Sequence, residues 1–236
     1  MLVLGIDTAT PVAGVALVNE NGLVASRLVS GSRSHSVRLM PMIRDVLHEG
    51  QVQPGDLSGL AVSTGPGSFT GLRIGLVCAR TLARIWQLPL AGLSTLEVLA
   101  FPFAGSGALV VPMLNARRGE VYAGVYRAGP DRPVCLAGPA AVAPEGLPAL
   151  LEPFDGPFVA VGDGLPVCRL VLAQLKRDVR EAPPVAWAPR GDSLAQLGAI
   201  LLENGLGTDA LAVFPRYIRL PEAEVVWRQK HGGGCD

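Results

Sequence analysis

A chain of 236 residues that is 49% hydrophobic, 17% charged and formally neutral can bury a sizeable core, and this composition excludes disorder. With cations and carboxylates in balance, nothing global draws it to nucleic acid or to an anionic membrane. Cys78, Cys135, Cys168 and Cys235 are scattered without a Cys-x-x-Cys pair, which argues against a zinc ribbon or a disulfide scaffold and for a reduced, cytoplasmic chain.

Residues 2–6 form a short apolar run ending at Asp7, with no basic leader, so no signal peptide is expected. Residues 12–18 and 23–29 read as strands joined at Asn21-Gly22, a pair suited to a tight hairpin with both residues at positive φ. Val37, Met40, Ile43 and Leu47 recur at helical spacing across residues 34–49, with Gly50 as the stop and Pro41 as an internal bend. A strand at 57–63 leads into Gly65-Pro66-Gly67-Ser68-Phe69-Thr70-Gly71, and Thr70 is expected to cap a helix running to about Trp86. A strand at 89–93 and a helix at 94–101 close the first half.

Small residues at 103–107 mark a lobe boundary, giving lobes at 1–104 and 105–220 and a tail at 221–236. The second half opens with strands at 108–114 and 120–127 around a turn at 115–119. A buried strand at 158–161 follows, then Gly162-Asp163-Gly164 and helices at 166–175 and 193–202. Both halves begin with a strand hairpin and then alternate helix and strand, as duplication of one α/β unit would produce. The weakly charged stretch at 98–116 is broken by Pro102, Gly105, Gly107 and Pro112, and no membrane span is expected.

The glycine-rich loop admits two readings. Backbone N–H groups at a helix start suit an anion, and the same lack of side chains suits tight packing against the other lobe or a partner. It is not a Walker loop, because no lysine follows its last glycine. The helix after it carries Arg73, Arg80 and Arg84 on one stripe and Leu72, Ile74, Leu76, Val77, Leu82, Ile85 and Trp86 around most of the rest. One buried face needs only a third of that circumference, and the helix at 34–49 is equally apolar, so either the helix is wedged between its sheet and the helix at 34–49 or the two share an exposed patch that marks a protein interface. Asp7-Thr8-Ala9-Thr10 lacks the glycine of a phosphate hairpin, and the matching Asn115-Ala116-Arg117 has no carboxylate at its start. His35, His48 and His231 form no clustered metal set, each reading as a surface or capping residue, and no catalytic triad is visible.

Asp7-Thr8-Ala9-Thr10, His35-Ser36 with Leu39-Met40-Pro41-Met42-Ile43, the loop from Gly65 to Gly75, Asn115-Ala116-Arg117-Arg118-Gly119-Glu120-Val121-Tyr122, Gly162-Asp163-Gly164 and Pro215-Arg216-Tyr217-Ile218-Arg219 together resemble the TsaB (YeaZ) family of tRNA threonylcarbamoyladenosine biosynthesis. The resemblance runs from Met1 to about Arg219 and implies an α/β actin-like ATPase (ribonuclease-H-like) fold of two related lobes. It implies a non-catalytic scaffold subunit without cofactor or metal, bound to a catalytic paralogue, TsaD, with the ATPase TsaE completing the complex. Transfer RNA is reached only through the complex, and a homodimer forms when the partner is missing. Where the paralogue carries His-x-x-x-His, this chain has Leu93-Ser94-Thr95-Leu96-Glu97. The expected partner surface comprises Val37, Met40, Ile43, Leu47, Arg73, Ile74, Val77, Leu82 and Ile85, and the expected close-approach loop Gly65, Gly67, Ser68, Thr70 and Gly71. The rival readings are an autonomous actin-like ATPase or kinase, and a metallopeptidase.

Overall fold

The computed structural model describes residues 1–31 and 35–219. The tail expected at 221–236 lies outside the described residues, as does Ser34. Sheet one contains β1 (Val3–Asp7), β2 (Val12–Asn19), β3 (Gly22–Ser30), β4 (Gly59–Gly65) and β5 (Leu90–Ser94), in the order β3-β2-β1-β4-β5. β1 to β3 are an antiparallel meander, while β4 and β5 run parallel to β1. β1 and β4 are buried along their whole length, which is why they read as unbroken apolar runs rather than alternations.

Sheet two contains β6 (Leu109–Arg117), β7 (Glu120–Ala128), β8 (Pro133–Val142), β9 (Phe158–Val161) and β10 (Val179–Glu181), in the order β10-β9-β6-β7-β8. Both sheets are built alike, with a three-strand meander followed by two parallel strands. The duplication is therefore visible as topology. Three elements were not anticipated: β8, β10 and α4 (Leu147–Leu151). β8 is an edge strand with Pro133 and Pro139 and an irregular register, so it lacks the alternation that betrays a strand. The hairpin turns also differ from expectation. Of Asn21 and Gly22, only Gly22 takes a positive φ, at 109°. Consecutive left-handed residues occur instead at Arg117, Arg118 and Gly119, and the β6–β7 strands extend further than expected.

Two helices, α1 (His35–Glu49) and α2 (Phe69–Trp86), cover one face of sheet one. Leu39, Met42, Ile43, Val46, Leu76 and Ala79 meet Leu4, Ile6, Val15 and Leu60 there, and each large side chain so buried contributes about 1.5–3 kcal/mol. α1 continues through Pro41, which stands on its exposed side. α4 and α5 (Leu165–Gln174) cover one face of sheet two around Phe158 and Leu147.

The remaining two helices are exchanged between the halves. α3 (Thr95–Ala100), from the first half, packs Leu96 and Leu99 against Val110, Leu114 and Tyr126 of sheet two. α6 (Gly191–Glu203), from the second half, packs Leu194, Ala195 and Leu197 against Val3, Val18 and Ala61 of sheet one. The division at 104/105 thus does not describe the packing. Residues 191–217 return to the first sheet, where Thr208 pairs with Leu90 and Arg216 N–H donates to the Thr64 carbonyl at 2.7 Å. Among the described residues no helix is long and apolar enough to cross a membrane.

Candidate functional site at the starts of the first two helices

Asp7 ends β1 beside Ser63 of β4, fully buried. The Ser63 hydroxyl donates to one carboxylate oxygen and the Ala9 amide donates to the other at 3.1 Å. Burial dominates these bonds and pushes the Asp7 carboxyl up to about 6, while the hydrogen bonds from Ser63 and Ala9 pull it down. His35, at the first turn of α1, is buried rather than on the surface, with Nε2 2.9 Å from the Thr10 carbonyl.

The glycine loop closes on this same turn. A Cβ on Gly67, Gly71 or Gly75 would lie closer than 3.0 Å to the Ala9 carbonyl, the Thr8 carbonyl or the Thr8 hydroxyl respectively. Gly65 takes φ 118°, and a Cβ there would lie 2.7 Å from the Arg216 carbonyl. Two of the donors at the helix start are also engaged within the chain. Ser68 N–H donates to the Ala9 carbonyl at 2.7 Å, and Ser68 Oγ accepts from Gly71 N–H at 3.2 Å. Ser68, not Thr70, is therefore the cap, and Thr70 is exposed. Of the two readings, the close approach is tight packing, and the neighbour is neither the other lobe nor a partner but the Asp7–Thr10 turn and the Arg216 backbone of its own chain.

The sequence from Leu211 to Tyr217 runs along one side of α2. Arg73 Nε donates to the Tyr217 hydroxyl at 3.0 Å, and its guanidinium lies 3.8 Å from the Phe69 ring centroid. Phe69 and Tyr217 are 4.9 Å apart. Arg80 lies 5.4 Å from the Phe214 centroid and donates to the Leu211 carbonyl. Arg73 and Arg80 of the α2 stripe thus hold a segment of their own chain, a role that their spacing did not reveal. Arg219 pairs with Glu120, tying this segment to the β6–β7 hairpin.

The residues expected at a partner surface divide in two. Val37 (75% exposed), Met40 (50%), Val77 (61%) and Ile85 (68%) stand outward on α1 and α2. Ile43 (1%) and Leu82 (8%) face sheet one and cannot touch a partner. Their periodicity was that of the core stripe, shared by Leu39, Met42 and Val46. Ile74 and Leu47 are half-buried at the edge of that core, and Cys78 Sγ comes within 3.4 Å of Met40 Sδ where the helices meet.

In sheet two the polar contact has the same place with the roles exchanged. Asn115 N–H donates to Asp163 at 2.9 Å, so the carboxylate comes from the turn after β9 rather than from the first strand. Burial raises the Asp163 carboxyl, opposed by that bond. Gly162-Asp163-Gly164 is thus a structural turn, with Gly164 N–H donating to the Met113 carbonyl at 3.0 Å. Between the lobes, Arg132 pairs with Glu97 of α3 at 2.7 Å. Among the described residues no group of three or more histidine, cysteine or carboxylate side chains is placed to hold a metal ion.

A family model described as TsaD, tRNA N6-adenosine threonylcarbamoyltransferase, matches residues 29–227. The Bacillus subtilis (strain 168) tRNA threonylcarbamoyladenosine biosynthesis protein TsaB is 33% identical over 236 residues, covering 96% of this chain and 98% of its own. The chain belongs to the TsaB (YeaZ) family. The Escherichia coli (strain K12) protein of the same name is 37% identical over 169 residues, 70% of this chain and 72% of its own. The solved structure of YeaZ from Pseudomonas aeruginosa matches this TsaB-family chain with a TM-score of 0.80 at 30% identity, over 92% of this chain and 99% of that one. The ROK hexokinase of Thermus thermophilus matches at TM-score 0.52 and 14% identity, over 87% and 100%, a likeness of fold alone. The two-lobed actin-like architecture expected from the resemblance is the one observed.

Proposed function

We propose that this chain is a non-catalytic, activating subunit of the tRNA threonylcarbamoyladenosine machinery. It docks on the catalytic paralogue TsaD through the outer surface of α1 and α2, reaches TsaE and tRNA through the complex, and self-associates by the same surface when alone. The observation that carries this reading is the group of exposed apolar side chains, Val37, Met40, Val77 and Ile85, on two adjoining helices. Scattered exposed hydrophobes need no explanation, but neighbours on one surface lose water favourably when covered.

The interior of the turn at Asp7 supports the non-catalytic part. The glycines that would bring backbone to a phosphate bring it instead to Thr8 and Ala9, and Ser68 N–H is already donated to Ala9. Asp7 is enclosed with Ser63, where burial favours its neutral form. The test is copurification with TsaD of the same organism, together with the threonylcarbamoyladenosine content of tRNA in a strain depending on the variant. Val77→Glu combined with Met40→Glu should abolish both while the chain remains folded. An intact complex with that double variant would refute the docking surface. Tight ATP binding with turnover by the isolated chain would refute the non-catalytic reading.

A further inference from the structure

Two bodies make up the fold, one on each sheet, and the chain crosses between them at two internal places. β5 of sheet one leads into α3 at Ser94-Thr95, and the segment after β10 of sheet two leads into α6 at Arg190. These crossings are loosely filled. A cavity of about 140 Å³ lies beside them, between Val98 and Leu99 of α3 and Ala188 and Arg190 before α6. The Thr95 hydroxyl, fully buried at the first crossing, has no hydrogen-bond partner among the described residues. A third connection is made of charges. The returning segment is fixed to the sheet-one body, where Val213 enters the core, Arg216 N–H donates to the Thr64 carbonyl at 2.7 Å and Tyr217 meets Phe69. From that anchorage two arginines face carboxylates of the sheet-two body. Arg219 pairs with Glu120 at the start of β7, both half-buried. Glu97 of α3 is held to the turn between β7 and β8 by Arg132 at 2.7 Å. Burial raises the Glu97 carboxyl, while Arg132 and then Arg216 draw it back down, which places Arg216 beside it.

Independently of the docking role, we propose that residues 216–219 are an electrostatic latch that fixes the angle between the two bodies, which hinge about the Thr95 and Arg190 crossings when it releases. Two cations anchored on one body and two carboxylates carried by the other favour the closed arrangement, and half-burial limits their screening. Ion pairs of this exposure are individually weak, so a latch made of two is releasable rather than permanent. Bodies joined by a few crossing residues move by hinging at those residues. Release also lets water reach the Thr95 hydroxyl, which offsets part of the loss.

Residual dipolar couplings of the full chain, isotopically labelled and held in a stretched gel, test this, because they report the orientation of sheet one relative to sheet two. In wild type at roughly 50 mM NaCl one alignment should fit both sheets, and roughly 500 mM should loosen that agreement. Arg216→Gln combined with Arg219→Gln should raise the open population about fivefold, so that the sheets no longer share one alignment. The Arg216 amide should keep its slow hydrogen exchange in that variant, since its bond to Thr64 lies within one body. Glu120→Gln and Arg219→Gln should each release the bodies equally, and together no further than either alone. Arg84→Gln, at an exposed arginine outside the latch, should leave a single alignment. A shared alignment in the Arg216→Gln, Arg219→Gln variant, or release by Arg219→Gln that Glu120→Gln does not reproduce, overturns the latch. Should the double variant fail to fold, the wild-type chain decides, and an alignment indifferent to salt overturns the proposal.

Discussion

The Thr8 hydroxyl donates to the Gly71 carbonyl at 2.7 Å, and the Thr8 carbonyl occupies the place that a side chain on Gly71 would need. The turn after the first strand and the first turns of the second helix are thus pressed together, with no layer of side chains between their backbones. Gly71→Ala is expected to destabilise the fold by about 2–3 kcal/mol, because the obstacle is backbone and cannot step aside. Gly55→Ala, where a new methyl meets open space, should stay within about 0.5 kcal/mol of wild type. Urea denaturation of the two variants checks this, and equal midpoints would contradict the close approach.

Asp7 predicts a pH dependence with a definite sign. Its carboxyl lies near 6 when folded against an ordinary 3.8, so between those values the folded chain binds more protons than the unfolded one. This group therefore makes stability fall as pH rises from about 4 to 6, by about 3 kcal/mol in all. Asp7→Asn keeps an acceptor for the Ala9 amide and should lose this part of the slope, so its advantage over wild type grows towards neutral pH. Unfolding curves at pH 4.5, 6 and 7.5 decide it, and parallel pH profiles for both proteins would rule the assignment out.

Ile43 and Val77 separate folding from docking. A carboxylate at Ile43 enters the core beneath α1 and should unfold the chain, a cost of about 4 kcal/mol or more. Val77→Glu changes an exposed position and should shift stability by no more than about 0.5 kcal/mol. Thermal melts followed by circular dichroism distinguish them, and a stable Ile43→Glu protein would contradict the observed burial.

Arg73 clamps residues of the returning segment against α2. Removing its guanidinium in Arg73→Ala should make that segment open more readily, by about 1 kcal/mol, or about fivefold in exchange rate. The Arg216 amide, bonded to the Thr64 carbonyl, is the reporter. Its hydrogen exchange should quicken in Arg73→Ala and stay unchanged in Arg84→Ala. Equal protection in both variants would remove the clamp.

What was legible in the residues follows from what each signal measures. β1, β4 and β9 were readable because strands covered on both faces are continuous apolar runs. The β8 edge, with its two prolines, and the three residues of β10 carry no such periodicity, so they emerge only from pairing with β7 and β9. The helical repeat of Val37, Met40, Ile43 and Leu47 located α1 but not its orientation, because two apolar stripes overlap on one helix and spacing does not say which one the sheet takes. The loop from Gly65 onward announced a close approach without naming the neighbour. That neighbour, Thr8 and Ala9, lies about 60 residues away in the chain and is brought there by the parallel pairing of β1 with β4.

The exchange of α3 and α6 between the halves dictates when the protein can become complete on the ribosome. Val3, Val18, Ala61 and Leu93 are all made before β6, yet the helix that seals them begins at Gly191. At ordinary rates of translation that helix leaves the ribosome about 5–20 s after β5. Throughout that interval the nascent chain carries an apolar sheet face that its sealing helix has not yet covered. Here the usual order, in which the N-terminal unit folds first, gives way to two halves that mature together near the end of synthesis, with the uncovered sheet a natural client for chaperones in the meantime.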